Sequence, residues 1–174
     1  MSRKVVSTYK AEFVSPYQST MYDLVTDHFK SVKGISVSMD YRPVWLTNPK
    51  SGHPLELDIF VESTKPVVYY DDDGVKSYIF PSFGIEVQGR THYTVVREYN
   101  KTLGGLREQQ WRDRVKRKLC KARNVVLLYI DNSEVNTVKS FDLWLTTKLF
   151  GIKNVDQNTN MVIRYFMDKG YYRM

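Results

Sequence analysis

The sequence predicts an α/β fold in which a mixed β-sheet core is flanked by helices and carries a β-hairpin insertion. Segments with helical and with strand periodicity alternate along the chain, which favours one sheet covered by helices. The 174 residues, 42% of them hydrophobic, are enough for one ordinary core, and no repeat or linker divides them. We therefore predict a single domain over 1–174, with its core at about 15–150, a polar N-terminal arm and a C-terminal tail.

The first third of the chain predicts one helix and two strands. Ser15-Pro16 suits a helix start, and Gly34 suits its end. Between them, apolar residues recur at helical spacing, namely Met21, Leu24, Val25 and Phe29. Residues 35–46 have alternating and β-branched character, and 55–61 alternate between apolar and polar side chains, so both predict strands. Residues 48–53 predict the turn between them.

Residues 66–81 predict the hairpin insertion. Two runs with strand character flank Asp71-Asp72-Asp73-Gly74, a turn sequence in which Gly74 accepts a positive φ. Three consecutive aspartates also suggest a calcium loop. The remaining ligands of an EF-hand loop and its closing glutamate are missing, so the turn is the favoured interpretation.

The second half of the chain predicts two strands and two helices. Residues 83–87 form a short apolar strand interrupted by Glu86. Residues 103–121 predict an amphipathic, basic helix, because Trp111, Val115 and Leu119 form one apolar stripe. Residues 124–130 are continuously apolar, which is typical of a buried strand and predicts the centre of the sheet. Residues 141–150 then predict a covering helix.

The charge balance favours a polyanionic partner. Lys and Arg total 26 against 19 Asp and Glu, a net charge of +7, so nucleic acid is the leading candidate, although a merely basic protein has the same composition. The single cysteine, Cys120, allows neither an internal disulfide nor a multi-cysteine zinc site. No apolar run reaches the ~20 residues of a membrane span, and the first residues are too polar for a secretory signal. The expected location is intracellular, cytoplasmic or with the genome.

Two acids occupy strand positions where burial is costly. Asp58 and Glu86 each interrupt a largely apolar strand, and an unpaired buried carboxylate costs several kcal/mol. A divalent cation with oxygen ligands would neutralise them. A salt bridge to an arginine or lysine would do the same, and the strands alone leave both alternatives open.

The wider context of these acids carries a family resemblance. Asp58 is followed by Glu86-Val87-Gln88-Gly89-Arg90-Thr91-His92-Tyr93, and then by Gln110, Asp113, Lys116 and Cys120 at fixed spacing on the basic helix. This series, over about 15–131, resembles the PD-(D/E)XK superfamily of nucleases, in the E-x-Q-G-x-x-H-Y variant of some homing endonucleases and phage nucleases. The resemblance implies a restriction-endonuclease-like fold and a Mg²⁺-dependent endonuclease.

The resemblance also implies roles for individual residues. Asp58 and Glu86 would hold Mg²⁺ or Mn²⁺ together with the backbone carbonyl of Val87, and the ion would activate water against a phosphodiester. Gln88 stands where the family usually has lysine, so it would position water or phosphate instead of acting as a base. His92 is a candidate catalytic base or a hydrogen-bonding residue at the strand end. On the first helix, Asp23 is the nearest acid to the family's additional metal ligand.

The implied substrate is double-stranded DNA, with RNA and branched junctions as alternatives on the same core. Gln110, Asp113 and Cys120 would be structural residues near the site, and Asp113 and Lys116 would pair with each other or stabilise the helix. Seven basic residues are candidates for phosphate contacts: Arg90, Lys101, Arg107, Arg114, Lys116, Arg117 and Lys121. Cleavage of a duplex with one site per chain favours a homodimer. A nucleic-acid-binding module that has lost catalysis is the alternative from outside enzymology.

Overall fold

A computed structural model of the protein describes residues 15–95 and 102–171, with side chains up to residue 168. The helices are α1 (Pro16–Phe29), α2 (Leu103–Ala122), α3 (Asn132–Val135), α4 (Phe141–Phe150) and α5 (Gln157–Tyr171). The strands are β1 (Ile35–Tyr41), β2 (Leu57–Ser63), β3 (Val67–Tyr70), β4 (Lys76–Ile79), β5 (Ser82–Gln88) and β6 (Val125–Asp131). None of the helices in these ranges combines the length and the hydropathy that crossing a membrane requires.

Four strands form a mixed sheet in the order β1-β2-β5-β6. β2 pairs antiparallel with both β1 and β5, whereas β5 and β6 pair in parallel. The α/β class and the mixed sheet flanked by helices are therefore confirmed. The predicted central place of the apolar strand is wrong, because β6 lies at the edge of the sheet. Its apolar character reflects helices packed on both of its faces, α2 on one side and α5 on the other.

The predicted hairpin is present as a separate two-stranded sheet of β3 and β4. Gly74 has φ +75° in the connecting turn. The carboxylate of Asp71 accepts hydrogen bonds from the backbone N–H groups of Asp73 and Val75, at 3.1 and 2.8 Å. Asp71 therefore stabilises the turn, as the turn interpretation predicts.

The boundaries of the first two strands differ from the prediction. β1 ends at Tyr41, five residues before the predicted end, and β2 begins at Leu57. Within β1, Asp40 has φ +51° and interrupts the pairing register with β2, which resumes only at Tyr41. Pro43 follows and lacks a backbone donor for continued pairing. The intervening segment is a turn closed by a hydrogen bond from the N–H of Asn48 to the carbonyl of His53, at 2.8 Å.

Each face of the sheet is covered by its own apolar cluster. On one face, α1, α4 and α5 pack against residues such as Ile59 and Ile85. On the other face, α2 packs its buried Cys120 against Leu57, Phe60 and Val125. Glu86 alternates with Ile85 along β5 and contacts α2, so the candidate site lies between the sheet and α2.

The core extends beyond the predicted limit of residue 150. The segment predicted as a C-terminal tail contains α5, whose Val162, Ile163 and Phe166 are buried in the larger cluster. The ring of Phe166 meets Phe83 edge to face, with centroids 4.7 Å apart. The polar N-terminal arm, residues 1–14, lies outside the described residues.

Replacement of Phe166 by alanine is expected to destabilise the fold by about 3 to 5 kcal/mol, because a fully buried aromatic side chain leaves a cavity. Phe150 is the matched control, since the same change at a side chain that is 67% exposed should cost less than about 0.5 kcal/mol. Urea unfolding of both variants measures the difference. Equal stabilities would show that α5 does not belong to the core.

Candidate active site

The candidate site lies where β2 and β5 separate. The ladder between them runs from Glu62 and Ser82 to Ile59 and Ile85, and the next facing positions are Asp58 and Glu86. There the side chains replace backbone pairing. Asp58 Oδ2 accepts a hydrogen bond from the N–H of Val87 at 2.7 Å, and Glu86 Oε1 accepts a longer one from the N–H of Asp58 at 3.4 Å. Each acid therefore reaches across the gap to the other strand, and the two carboxylates converge.

Glu86 is almost fully buried, at 3% exposure, and pairs with a lysine from α2. Lys116 Nζ lies 2.5 Å from Glu86 Oε2. The salt-bridge alternative is thus realised for Glu86. Asp58 has no lysine or arginine nitrogen within 4.0 Å among the described residues. Lys116 does not belong to an exposed phosphate-binding face as predicted, because its side chain is only 14% exposed and extends into the site.

The protonation equilibria of these groups reflect burial and their mutual charges. Burial and the neighbouring Asp58 raise the pKa of Glu86 to about 7, against the opposing effect of Lys116. Burial also raises the pKa of Asp58. For Lys116, burial favours loss of the proton, but the charges of Glu86 and Asp58 outweigh it and raise the pKa. Two buried carboxylates thus share one ammonium group, and a further cation would stabilise their ionised forms.

The donor set suits a cation that keeps much of its water. No group of three or more His, Cys, Asp or Glu side chains in residues 15–95 and 102–171 is arranged to hold a metal ion. Mg²⁺ is commonly held by only one or two carboxylates, with water and substrate phosphate completing its coordination. Asp58 and Glu86 fit that pattern, with the backbone carbonyl of Val87 as a further oxygen. Binding would require Lys116 to share or release Glu86 Oε2.

The first helix contributes an amide to the site. The predicted Asp23 is exposed and does not line the cleft, which corrects its assignment as a metal ligand. Gln18 lies on the buried stripe of α1 with Met21 and Val25. Its Nε2 donates to Asp40 Oδ1 at 2.6 Å and to the carbonyl of Asp58 at 3.3 Å. The helix therefore supports the strand that carries Asp58, without adding an acid.

Above the two acids lies a cleft of about 560 Å³. Its walls combine both charges: Arg42, Glu56, His92, Arg112, Asp113 and Lys116 line it together with Asp58 and Glu86. Arg42 and Glu56 pair across the rim, with Nε 2.6 Å from Oε2. The cleft, which we call the acid cleft, is large enough for a phosphodiester and water.

His92 is held by a carboxylate from α2. It ends the short 3₁₀ turn Arg90–His92, and its Nδ1 lies 2.9 Å from Asp113 Oδ2. Burial alone would raise the pKa of Asp113, but the bond and charge of His92 outweigh burial and lower it. In the tautomer that carries its proton on Nδ1, His92 donates a hydrogen bond to the ionised Asp113 and leaves Nε2 as a proton acceptor. Asp113 therefore pairs with His92, and Lys116 pairs with Glu86, instead of with each other.

Gln88 ends β5 beside the acids, and a neighbouring tyrosine fixes its side chain. The hydroxyl of Tyr93 donates to Gln88 Oε1 at 2.6 Å. That bond directs the carbonyl oxygen towards Tyr93 and leaves the amide NH₂ group as a donor. Gln88 lines the pocket beside the acid cleft and not the cleft itself. Its NH₂ group can orient an oxygen-rich ligand there, and its role in positioning the attacking water stays a prediction.

The other predicted residues divide by exposure. Arg90, Arg107, Arg114, Arg117 and Lys121 are exposed, as phosphate contacts should be, and Lys101 lies outside the described residues. Gln110 is partly buried. Cys120 is fully buried, and burial raises the pKa of its thiol to about 12, so the thiol stays protonated. It is a packing residue on the buried face of α2.

Three residues of the site were missed by the sequence analysis. Gln18 could have been found, because a polar residue in phase with the apolar stripe of α1 is unusual. Tyr93 directly follows His92 in the motif, but no function was predicted for its side chain. Tyr129 lies opposite Glu86 in the parallel register of β5 and β6, which sequence periodicity does not specify.

Comparisons with known proteins give distant relatives only. No protein-family model matches the chain, and no solved structure matches it. Uncharacterized protein 307L of Invertebrate iridescent virus 6 is 30% identical over 113 residues, which cover 62% of this chain and 47% of that protein. Uncharacterized protein 033L of Invertebrate iridescent virus 3 is 29% identical over 89 residues, which cover 51% and 37%. The chain thus spans less than half the length of these relatives, whose names state no activity.

Proposed function

We propose that the protein is a metal-dependent endonuclease with a restriction-endonuclease-like fold, which hydrolyses phosphodiester bonds of DNA. The observation that supports this proposal is the convergence of Asp58 and Glu86 in the gap between β2 and β5, at the floor of the acid cleft. Two buried carboxylates that face each other lower the stability of the fold, and a bound divalent cation would offset that cost in free energy.

Asp58 and Glu86, with the carbonyl of Val87, would hold Mg²⁺ or Mn²⁺. Such an ion would supply Lewis-acid chemistry, namely polarisation of the scissile phosphate and acidification of a water molecule. Side chains of the protein supply charge stabilisation, orientation and proton transfer. Lys116 lies against Glu86, so its ammonium group is placed to stabilise negative charge that develops on the phosphate. Gln88 lines the pocket beside the acid cleft and orients a phosphate of the bound strand through its NH₂ group. His92 accepts a proton at Nε2 while Asp113 holds its ring.

The net charge of +7 supports nucleic acid as the substrate. The exposed basic residues on α2 bind backbone phosphates, which position the duplex without reading its sequence. A homodimer would place one site on each strand of the duplex.

The test is a cleavage panel of duplex, single-stranded and branched DNA and of RNA, with Mg²⁺ or Mn²⁺ and with EDTA. We expect metal-dependent cleavage of duplex DNA, which Asp58→Asn abolishes because the variant loses one of the two carboxylates. A preference for RNA or for junctions would reassign the substrate on the same core. If no nucleic acid is cut, or if Asp58→Asn cuts like the wild type, the endonuclease proposal is wrong.

One observation favours a second function, a nucleic-acid-binding module without catalysis. The Glu86–Lys116 pair already neutralises one of the two acids, and a lost metal site would leave such a pair behind. Calorimetric titration with Mn²⁺ separates the two functions. A nuclease binds Mn²⁺ through Asp58 and Glu86, whereas a binding module retains DNA affinity and takes up no metal at these residues.

A further inference from the structure

A second pocket adjoins the acid cleft, on the other side of the His92–Asp113 pair. It has a volume of about 310 Å³. His92 and Asp113 line both cavities, so a group in one lies next to a group in the other. The remaining walls consist of six side chains, which define the tyrosine–arginine pocket: Gln88, Tyr93, Gln110, Arg114, Arg117 and Tyr129.

Hydrogen-bond donors outnumber acceptors in this pocket. Neither Arg114 nor Arg117 has a carboxylate within 4.0 Å in the part of the chain that is described. The carboxylate of the wall, Asp113, is already bonded to His92. Gln88 uses its carbonyl oxygen for Tyr93, which leaves its NH₂ group directed elsewhere. Such a pocket suits a ligand that is anionic and offers only acceptors.

One lining residue of the pocket adds an unpartnered donor. The hydroxyl of Tyr129 is buried and has no hydrogen-bond partner among the described residues. Burial raises its pKa, so the group remains a protonated donor at neutral pH. A buried hydroxyl without a partner costs about 1 to 3 kcal/mol, and phenylalanine would fill the same space without that cost. The hydroxyl is therefore a second, independent indication that an acceptor group binds here.

We propose that the tyrosine–arginine pocket binds a backbone phosphate of the substrate strand, the one next to the phosphate in the acid cleft. The identity of the strand rests on the proposed nuclease function, whereas the phosphate chemistry rests on the pocket itself. The planar guanidinium groups of Arg114 and Arg117 match the oxygens of a phosphate. Held there, the strand is fixed in register, so that its neighbouring phosphate lies over Asp58 and Glu86.

The first test uses inorganic phosphate and an arginine reagent in EDTA. Phosphate should protect Arg114 and Arg117 of the intact, folded protein from modification by phenylglyoxal. Digestion after the reaction and mass spectrometry of the peptides identify the modified arginines. Arg164 is the internal control, because it is exposed on α5 and does not line the pocket. Protection of Arg164 to the same extent, or no protection at all, would overturn the subsite.

The second test measures binding of a short DNA strand by fluorescence anisotropy, also in EDTA. Arg114→Ala/Arg117→Ala should weaken binding by about 10- to 100-fold, against less than about 3-fold for Arg164→Ala. Replacement of the bound phosphate by a neutral methylphosphonate should lower the affinity of the wild type for the strand. The same replacement should leave the affinity of the double variant unchanged. If wild type and double variant respond alike at every position of the substitution, the proposal fails.

These measurements need no cleavage, so the two proposals fail separately. A chain whose Arg114 and Arg117 bind phosphate, but which never cuts DNA, contradicts the nuclease function and leaves the phosphate site intact. A chain that cuts DNA while both arginines stay unprotected contradicts only the subsite.

Discussion

Replacement of Glu86 by glutamine is expected to lower the rate of DNA cleavage by about 1,000-fold or more. Glutamine keeps the shape of the side chain but removes the charge that would bind the metal ion. Loss of the ion forfeits several kcal/mol of transition-state stabilisation, and each 1.36 kcal/mol corresponds to a factor of ten in rate. Single-turnover cleavage at saturating Mg²⁺ measures the effect on the chemical step.

Glu62 is the matched control for this change. It lies on β2, the strand next to the one that carries Glu86, opposite Ser82 in the paired part of the ladder. It does not line the acid cleft. Glu62→Gln should therefore cleave DNA at nearly the wild-type rate. Comparable losses in both variants would mean that folding, not the site, is affected, and circular dichroism of each variant checks this. Undiminished cleavage by Glu86→Gln would remove Glu86 from the catalytic machinery.

Replacement of Lys116 by methionine is expected to destabilise the protein in EDTA by about 3 to 5 kcal/mol. Methionine matches the length of the lysine stem but leaves Glu86 and Asp58 without a compensating charge in a buried site. In this variant, a divalent ion can bind Glu86 without first displacing the ammonium group of Lys116. Mn²⁺ should therefore stabilise Lys116→Met by a larger amount than it stabilises the wild type.

Urea unfolding in EDTA and in Mn²⁺ measures both parts of this expectation. Lys118→Met is the control, because Lys118 is exposed on the same helix and its change should move the unfolding midpoint very little in either condition. If Mn²⁺ stabilises wild type and Lys116→Met equally, the ion does not bind where Lys116 lies, and the Glu86–Lys116 pair is purely structural.

Much of the fold follows from local patterns in the sequence. α1, the hairpin and α4 could be predicted because helix starts, turn glycines and apolar spacing are properties of neighbouring residues. The edge position of β6 could not, because an apolar strand reports that both faces are covered and not which strands flank it. α5 was missed although its pattern is local, because Val162, Ile163 and Phe166 recur at helical spacing beside the partly buried Met161 and Met167.

The site divides in the same way. The period of two along β5 places Glu86 and Gln88 on one side, and this much is local. The partners of these residues come from elsewhere: Lys116 and Asp113 from α2, Gln18 from α1. Which lysine among the many on α2 enters the site depends on the rotation of that helix against the sheet. Sequence periodicity identified the apolar face of α2, but it did not identify Lys116 as the lysine next to that face that pairs with Glu86.

The placement of Asp113 and Lys116 on one helix limits how this protein can change over time. Three positions apart on α2, they reach two different partners, His92 and Glu86. Each added or deleted residue turns the rest of a helix by about 100°. An insertion between them would swing one of the two away from its partner and strand a buried charge. Exchange of side chains on the outer surface of α2 leaves both of these pairs in place, whereas a change in the spacing of Asp113 and Lys116 does not.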